Sequence, residues 1–505
     1  MPSEPMIKNI CFSLFLLFPS VIPLFAQSGS VEQIHTAVTQ PDIEMHIRFL
    51  AADEFMGRDT GTPQLKVAAR YIATRFLING IKPVPGQEDY YQAVPFNRVF
   101  APREATLAIG DSTYTLEEDL ITINSVRGEI EGPVKILEYG SEQELEKADI
   151  EGHIVITRAG LAGQSSPQQW FTSSDDKNER LRQHGAIAVI ELFDHQQFPW
   201  QVLVNFLNQD RLELSEDEEN GVRIPHIWLN STGKSLIDDY EELGSPLEAW
   251  IAIQGQATEK VISNNVIGYI EGTDPDLKDE HILLGAHYDH LGVTNGQNEG
   301  EDTIYNGARD NGVGIAGILQ AAQYLAAHPP RRSVVVAAWT AEEKGLLGSN
   351  WFAENPTLPL NRIVYHLNID GGGYNDTTKV TVIGLERTDG EELLRNAAGT
   401  FGLEAIADPV PEQNLFDRSD NVHFARHGIP SPTYSMGLTA FDEEINRYYH
   451  RVTDEAQTVN YPYITRYIRS FVLAAQSIAN AEEAPFWIEG DPYEQAGLDL
   501  YENRH

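Results

Sequence analysis

The chain is almost devoid of thiol: its only cysteine is Cys11. Disulfide staples and thiolate metal sites are therefore excluded from the rest of the chain, and any metal there must be held by His, Asp and Glu. Basic charge is scarce too. Against 75 Asp and Glu stand 36 Lys and Arg, a formal net charge of −39. Such a surface repels nucleic acid and anionic lipid, favours solubility and draws divalent cations. Long apolar runs are also missing. Ile10 to Phe25 comes nearest to one, but Pro19 and Pro23 interrupt it, leaving it short and broken for a membrane span. Lys8 precedes this run and Leu24-Phe25-Ala26 is a cleavage site, so residues 1–26 read as a secretory signal that leaves Gln27 first. A secreted or, in a bacterium, periplasmic protein is expected, without stable membrane insertion once the signal is removed.

What is present is enough for two or three domains: 505 residues, 41% of them hydrophobic. Residues 27–40 read as a polar lead-in, and residues 41–80 carry apolar positions at helical spacing that end at Asn79-Gly80. Short strand-like pieces follow to about 126. From 127 to 258 the texture changes. Strand-like runs at Val134–Tyr139, His153–Thr157, Ala186–Leu192 and Ile224–Leu229 are separated by turns, with one helical stretch at Lys177–Gln183 and acidic loops at Asp175-Asp176 and Ser215–Asn220. This is expected to be a small β-rich insert between the N-terminal part of the main domain, 27–126, and its remainder, 259–483. A tail follows at 484–505, expected to pack along the surface.

From 259 onward, strands alternate with helices. Ile282–Ala286, Ser333–Trp339 and Ile363–Ile369 are continuous apolar runs, as parallel strands buried on both faces should be. Val313–Ala327, Glu392–Phe401 and Tyr463–Ala481 have helical periodicity. The pattern predicts an α/β fold with a mixed, largely parallel sheet flanked by helices.

Candidate ligands stand where these strands end, the usual address of sites in open α/β sheets. The first run delivers His287, the second is followed by Glu342-Glu343, and the third delivers Asp370 ahead of Gly371-Gly372-Gly373. Asp310 precedes the helix starting near Gly312, and His450 supplies a second imidazole. On a strand, His287 and His290 face opposite ways, so His287 is read as the ligand, Asp289 as the carboxylate that orients it, and His290 as structural or substrate-side. Taken singly, each residue has a plainer reading: a helix N-cap for Asp310, a turn residue for Asp370, an acidic helix start for Glu342-Glu343. Together, two imidazoles and three carboxylates suit two zinc ions, with a spare glutamate as base. Two Zn²⁺ bring +4, three ligand carboxylates bring −3, and one bridging hydroxide would neutralise the site.

Gly285-Ala286-His287-Tyr288-Asp289, Ala308-Arg309-Asp310-Asn311-Gly312, Thr340 to Ser349, Asn368-Ile369-Asp370 and Tyr449-His450 resemble the di-zinc aminopeptidases of the MH clan. That clan includes bacterial leucyl aminopeptidase-like enzymes, aminopeptidase Y and glutamate carboxypeptidase II relatives. Phe49 to Arg58 and Gly428-Ile429-Pro430 extend the likeness, and the middle region is similar to a protease-associated (PA) domain. The resemblance implies a zinc exopeptidase/phosphorylase-hydrolase-like fold with a PA-like insert. It implies two zinc ions bridged by Asp310, with His287 and Asp370 on one and Glu343 and His450 on the other. Glu342 would be the general base, and Tyr449 a donor to the oxyanion. Arg309 departs from the acidic residue common at its position. The implied activity is an aminopeptidase acting on peptides with a free N-terminus. A carboxypeptidase or dipeptidase, which would call on Arg418 or Arg447 for a substrate carboxylate, is the alternative, and a non-catalytic receptor the third reading. Phe441 and Tyr448 are candidate walls for the substrate side chain.

Overall fold

In the computed structural model the described residues are 24–502, except 165, 196–197, 216–222, 232–246 and 295–299. Among them the main domain holds a nine-stranded mixed sheet. Its strands are β1 (Tyr91–Val99), β2 (Arg211–Leu214), β3 (Thr258–Ile270), β4 (His281–His287), β5 (Ser333–Trp339), β6 (Ile363–Ile369), β7 (Lys379–Ile383), β8 (Glu404–Ile406) and β9 (Thr433–Met436). The spatial order is β8-β7-β9-β6-β4-β5-β3-β1-β2. The central strands β5, β4, β6 and β9 run parallel, whereas β3 and β7 join them antiparallel. β5 and β6 have the bounds expected from their apolar runs.

Those continuous runs arise because both faces are covered. In β4, Ile282, Leu284 and Ala286 enter one core, while Leu283 enters the other. β5 alternates likewise, Val334, Val336 and Ala338 against Val335, Ala337 and Trp339. The first core is roofed by the helices Gly314–Ala327 and Tyr461–Asn480. The second helix is capped by Asn460, which accepts from Tyr463 N at 3.2 Å, and Ile464, Ile468, Phe471, Val472, Ala475 and Ile478 form its buried face.

Three expectations need correction. The lead-in at 27–40 is not merely polar chain: Leu24–Ala37 is a helix, and Ile34 and Val38 are buried. Asp175-Asp176 is not a loop but the first turn of the helix Ser174–Gln183, where acidic side chains oppose the helix dipole favourably. The middle region also has more than one helix, with Pro167–Thr172 and Trp200–Leu207 beside it. The remainder of the proposed acidic loop, 216–220, and the proposed signal through residue 23 lie outside the described residues. No described helix is long and apolar enough to cross a membrane.

The second sheet has eight described strands and includes Glu104–Ile109, Ser112–Thr115 and Leu120–Thr122 as well as strands from 128–254. Between its strands Ala188–Phe193 and His226–Asn230 and the helix Ser174–Gln183 lies a buried ionic cluster. Lys177 Nζ donates to Glu191 Oε2 at 2.9 Å, His226 Nε2 to Glu191 Oε1 at 2.6 Å, and Gly160 N to Oε2 at 2.6 Å. Burial opposes ionisation of Glu191, but Lys177 and His226 hold its carboxyl down at about 2. With a folded value below the unfolded one, its contribution is complete above the unfolded carboxylate range and is lost as pH falls towards 2. Glu191→Gln leaves Lys177 buried without its counter-charge. It should destabilise this sheet by about 3 kcal/mol, read as a lower denaturant midpoint for its unfolding, with the main domain unchanged.

The tail is more than a surface wrap. Trp487 is buried and donates Nε1 to Gly428 O at 2.8 Å, and Asp491 receives Arg387 Nε at 2.7 Å and Nη2 at 2.9 Å.

Candidate metal centre

Every strand that was expected to carry a ligand brings it to one place. His287 is the last residue of β4 and sits beside Trp339, the last residue of β5. Glu342 and Glu343 follow β5 through a tight turn in which Ala341 takes φ 58°. Asp370 follows β6 directly. Asp310 lies in the turn Ala308–Val313 that leads into the helix Gly314–Ala327, and His450, at φ 55°, comes from the segment after Glu443–Tyr448. Left-handed conformations at these two residues and at Leu346, φ 59°, which lines the same cleft, are the kind of local strain that surrounding structure must hold.

The distances between these groups are regular. His287 Nε2 stands 3.2 Å from Asp310 Oδ1 and 3.2 Å from Asp370 Oδ1. His450 Nε2 stands 3.2 Å from Asp310 Oδ2 and 3.3 Å from Glu343 Oε2. Asp310 thus turns one oxygen to each imidazole. Glu342 Oε2 lies further off, 4.0 Å from His287 Nε2. Two ligand atoms bound to one zinc at about 2.0–2.1 Å in tetrahedral geometry stand about 3.3 Å apart. A single imidazole N–H, by contrast, cannot point at two carboxylate oxygens at once. His287 Nδ1 faces the Asp289 carbonyl at 3.3 Å, and with its proton there Nε2 would offer a lone pair to a metal in the cleft. Potential ligand atoms also group within 4.8 Å of one another as His287, Glu342 and Asp370, and as His287, Asp310 and Glu343. The donor set is nitrogen and oxygen only and suits zinc.

Burial and like charge act together on the acids of this site. Burial raises the Glu342 carboxyl well above its ordinary value, and Asp370, Glu343 and Asp420 add to this against His287. For His287, burial disfavours charge, yet Glu342 and Asp370 carry its value well upward. For His450, burial likewise opposes charge, but Asp310 and Glu343 raise it to about 10. Both imidazoles are thus asked to serve as the positive charge for a buried set of carboxylates, the role a divalent ion fills more completely.

A supporting shell holds the ligands. Asp289 makes its closer carboxylate bonds not to His287 but to the glutamate turn. Its Oδ1 accepts Glu342 N at 3.1 Å, and its Oδ2 accepts Glu343 N at 3.3 Å and Thr60 Oγ1 at 3.1 Å; its Oδ1 is 3.8 Å from His287 Nδ1. His290 reaches the site after all, donating Nδ1 to Glu343 Oε1 at 2.6 Å. Ser419 donates to Asp370 Oδ2 at 2.5 Å and accepts from Asn368 Nδ2 at 2.8 Å. Buried Asp454 accepts the backbone N–H of both Arg309, at 2.9 Å, and Asp310, at 3.2 Å, while Arg309 Nη1 pairs with it at 2.9 Å. The guanidinium lies 3.7 Å over the Tyr448 ring, so Tyr448 braces Arg309 rather than walling the cleft. Arg58, fully buried, donates to the carbonyls of Leu50, Tyr288, Asn306 and Gly307, tying the two loops that flank the site. Of these, Ser419 had no local signal. His290 and Arg58 lay in segments that drew notice, and Asp454 just beyond Tyr449-His450, but none gave a sign of its partners.

The cleft these residues line has a cavity of about 350 Å³. Its apolar wall is Ile383, Leu415, Leu438, Phe441 and Ile445. Tyr449 stacks on His450 at 4.0 Å and accepts from Arg418 Nη2 at 3.4 Å. Phe441 and Arg418 therefore stand at the cleft, whereas Arg447 does not line it.

Residues 265–474 match the family model described as Peptidase family M28. Among curated proteins, the chain is 25% identical over 249 residues to aminopeptidase YwaD of Bacillus subtilis, covering 47% of this chain and 50% of that one. It is 28% identical over 244 residues to aminopeptidase Y of Saccharomyces cerevisiae, covering 46% and 41%. The matched stretch spans between 18% and 50% of the first curated relatives. Among solved structures, an aminopeptidase from Aneurinibacillus sp. strain AM-1 superposes with TM-score 0.58 at 19% identity, covering 90% of this chain and 97% of that one, a likeness of fold.

Proposed function

We propose that this chain, whose residues 265–474 match the Peptidase family M28 model, is a zinc-dependent aminopeptidase holding two metal ions. The observation that carries the reading is the pair of ligand triads sharing Asp310, with all four imidazole–carboxylate separations at 3.2–3.3 Å. His287, Asp370 and one oxygen of Asp310 would hold one zinc; His450, Glu343 and the other oxygen would hold the second. Bound there, zinc supplies Lewis acidity and makes water nucleophilic at neutral pH.

The remaining chemistry belongs to this chain's own residues. Glu342 stands outside both triads and lines the cleft, where it takes the proton from the attacking water and passes it to the departing amine. The base must be a carboxylate when water attacks, and neighbouring cations relieve the burial and like charges that raise it. Asp289 acts through the turn whose N–H groups it receives, fixing base and ligand together. Tyr449 donates its hydroxyl to the carbonyl oxygen as negative charge develops. The acidic lining attracts the substrate's terminal ammonium, and the apolar wall receives the first side chain. Export by the segment 1–26 completes the proposal; it is supported by Lys8 and the proline-broken apolar run.

Leucine p-nitroanilide and an N-acetylated counterpart test the activity. Hydrolysis of the first only, abolished by chelator and restored by two equivalents of zinc, is the expected outcome. Cleavage of blocked peptides from their carboxyl end would replace this reading with the carboxypeptidase one, and no hydrolysis by the zinc-loaded protein would end both.

The glycine run after Asp370 matters for Tyr449. A Cβ on Gly372 would stand 1.9 Å from the Tyr449 ring. Gly372→Ala should displace that ring by about 1 Å and lower kcat by about 10²-fold while zinc content stays at two per chain.

A further inference from the structure

The apolar wall of the cleft has two different backings. Leu438 and Ile445 belong to one apolar cluster, with Val410. Ile383 belongs to another, with Phe416, Ala425 and Trp487, and Leu415 packs against both. The tail therefore stands behind half of the wall: Trp487 is buried against it but does not itself line the cleft. Polar bonds lock the tail there. Trp487 Nε1 donates to Gly428 O at 2.8 Å, and Ile488 N donates to Arg387 O at 3.0 Å. The Arg387 fork reaches both oxygens of Asp491, at 2.7 and 2.9 Å. The same guanidinium lies 4.0 Å from the centre of the Phe416 ring, whose other neighbour is the stacked ring of Tyr493. Phe416 in turn sits close on the backbone that follows Ile383: a Cβ on Gly384 would stand 2.8 Å from its ring. Ile383 and Leu415, the two wall residues, are thus each one residue away from a contact with this braced ring.

We propose that the tail, through Trp487 and Asp491, is a positioning element that fixes the depth of the side-chain pocket and so sets its preference for a bulky apolar first residue. This rests on the aminopeptidase reading above, which puts that side chain against the apolar wall. A wall residue holds its place only while the atoms behind it do, because a packed interior transmits the displacement of one side chain to the next. Truncating a buried indole leaves a cavity into which the surrounding side chains relax in part. Here those side chains are Ile383 and Phe416, and Leu415 follows them. The wall then recedes from a leucyl side chain, which loses contact. An alanyl side chain, a single methyl, has little contact to lose. The tail thereby acts on selectivity without touching substrate.

The test compares leucine p-nitroanilide with alanine p-nitroanilide on the zinc-loaded full chain. Trp487→Ala should lower the leucyl-to-alanyl ratio of kcat/KM by about 10-fold. The change should lie in a raised KM for the leucyl compound, with kcat for both compounds little altered, because contact to a side chain away from the scissile bond is shared by ground and transition states. Trp487→Phe loses the bond to Gly428 but keeps an apolar backing, and should restore most of the ratio. Asp491→Asn, which keeps shape and weakens the hold of Arg387, should shift the ratio the same way by about 2- to 3-fold. The ratio cancels any loss of active protein, so a tail that merely stabilises the fold would leave it unmoved. If Trp487→Ala does not fold, Asp491→Asn decides. An unchanged ratio in the folded variant, or equal losses for both compounds, overturns the proposal. Leucinamide and alaninamide, titrated calorimetrically into the zinc-loaded protein with and without the Trp487→Ala change, give the same comparison without turnover. A preference for leucinamide that this change removes, in a chain that hydrolyses neither anilide, would sustain the brace and contradict the aminopeptidase reading instead.

Discussion

Glu342→Gln should lower kcat by about 10²- to 10⁴-fold and leave two zinc ions bound per chain. The amide has the shape of the carboxylate but cannot accept the proton of the attacking water. The expected retention of zinc follows from geometry. Glu342 Oε2 is 4.0 Å from His287 Nε2, whereas each ligand carboxylate is at 3.2–3.3 Å from an imidazole. Activity and metal content must be measured together. If zinc is lost along with activity, Glu342 is a ligand, as its place in one cluster with His287 and Asp370 would permit, and the base must be sought elsewhere.

The largest effect on stability should come from Asp454→Ala, about 5 kcal/mol. Asp454 and Arg309 are both almost wholly buried, and the carboxylate takes two backbone N–H groups besides the guanidinium. Its removal leaves a buried cation and two unpaired donors. Thr458, which accepts from Arg309 through Oγ1 at 2.7 Å and through its carbonyl at 2.8 Å, offsets part of the loss. The denaturant midpoint should fall sharply, and zinc affinity with it, because one of the freed donors is the amide of Asp310. Arg309→Met removes the charge while retaining bulk and should cost less, since the carboxylate left behind still accepts two backbone N–H groups. Equal losses for the two variants would show that the ion pair is not what holds this loop.

Arg309 shows both the reach and the limit of reading the chain. Its departure from an acidic residue was visible, but its purpose was not, because Asp454 lies 145 residues away. The central strands were legible because burial on both faces leaves an unbroken apolar run, and their ends were legible because polar residues follow at once. His287, Glu343 and Asp370 could be found in this way. His290 misled for a physical reason. Strand alternation points it away from His287, yet the chain has left β4 at His287, and His290 turns back to Glu343, 53 residues on. Ser419, held to Asp370 across 49 residues, has no periodicity or motif of its own. Helices in the middle region were under-counted because short, part-buried helices such as Trp200–Leu207 resemble strands in composition, with Val202, Leu203, Val204 and Phe206 in close succession.

Anomalous diffraction at the zinc edge from crystals of the zinc-loaded protein bears most directly on the shared-carboxylate site. Two peaks are expected, one against His287 and Asp370 and one against His450 and Glu343, with an oxygen of Asp310 reaching each. A single peak held by His287, Glu342 and Asp370, with Asp310 turned away, would contradict it.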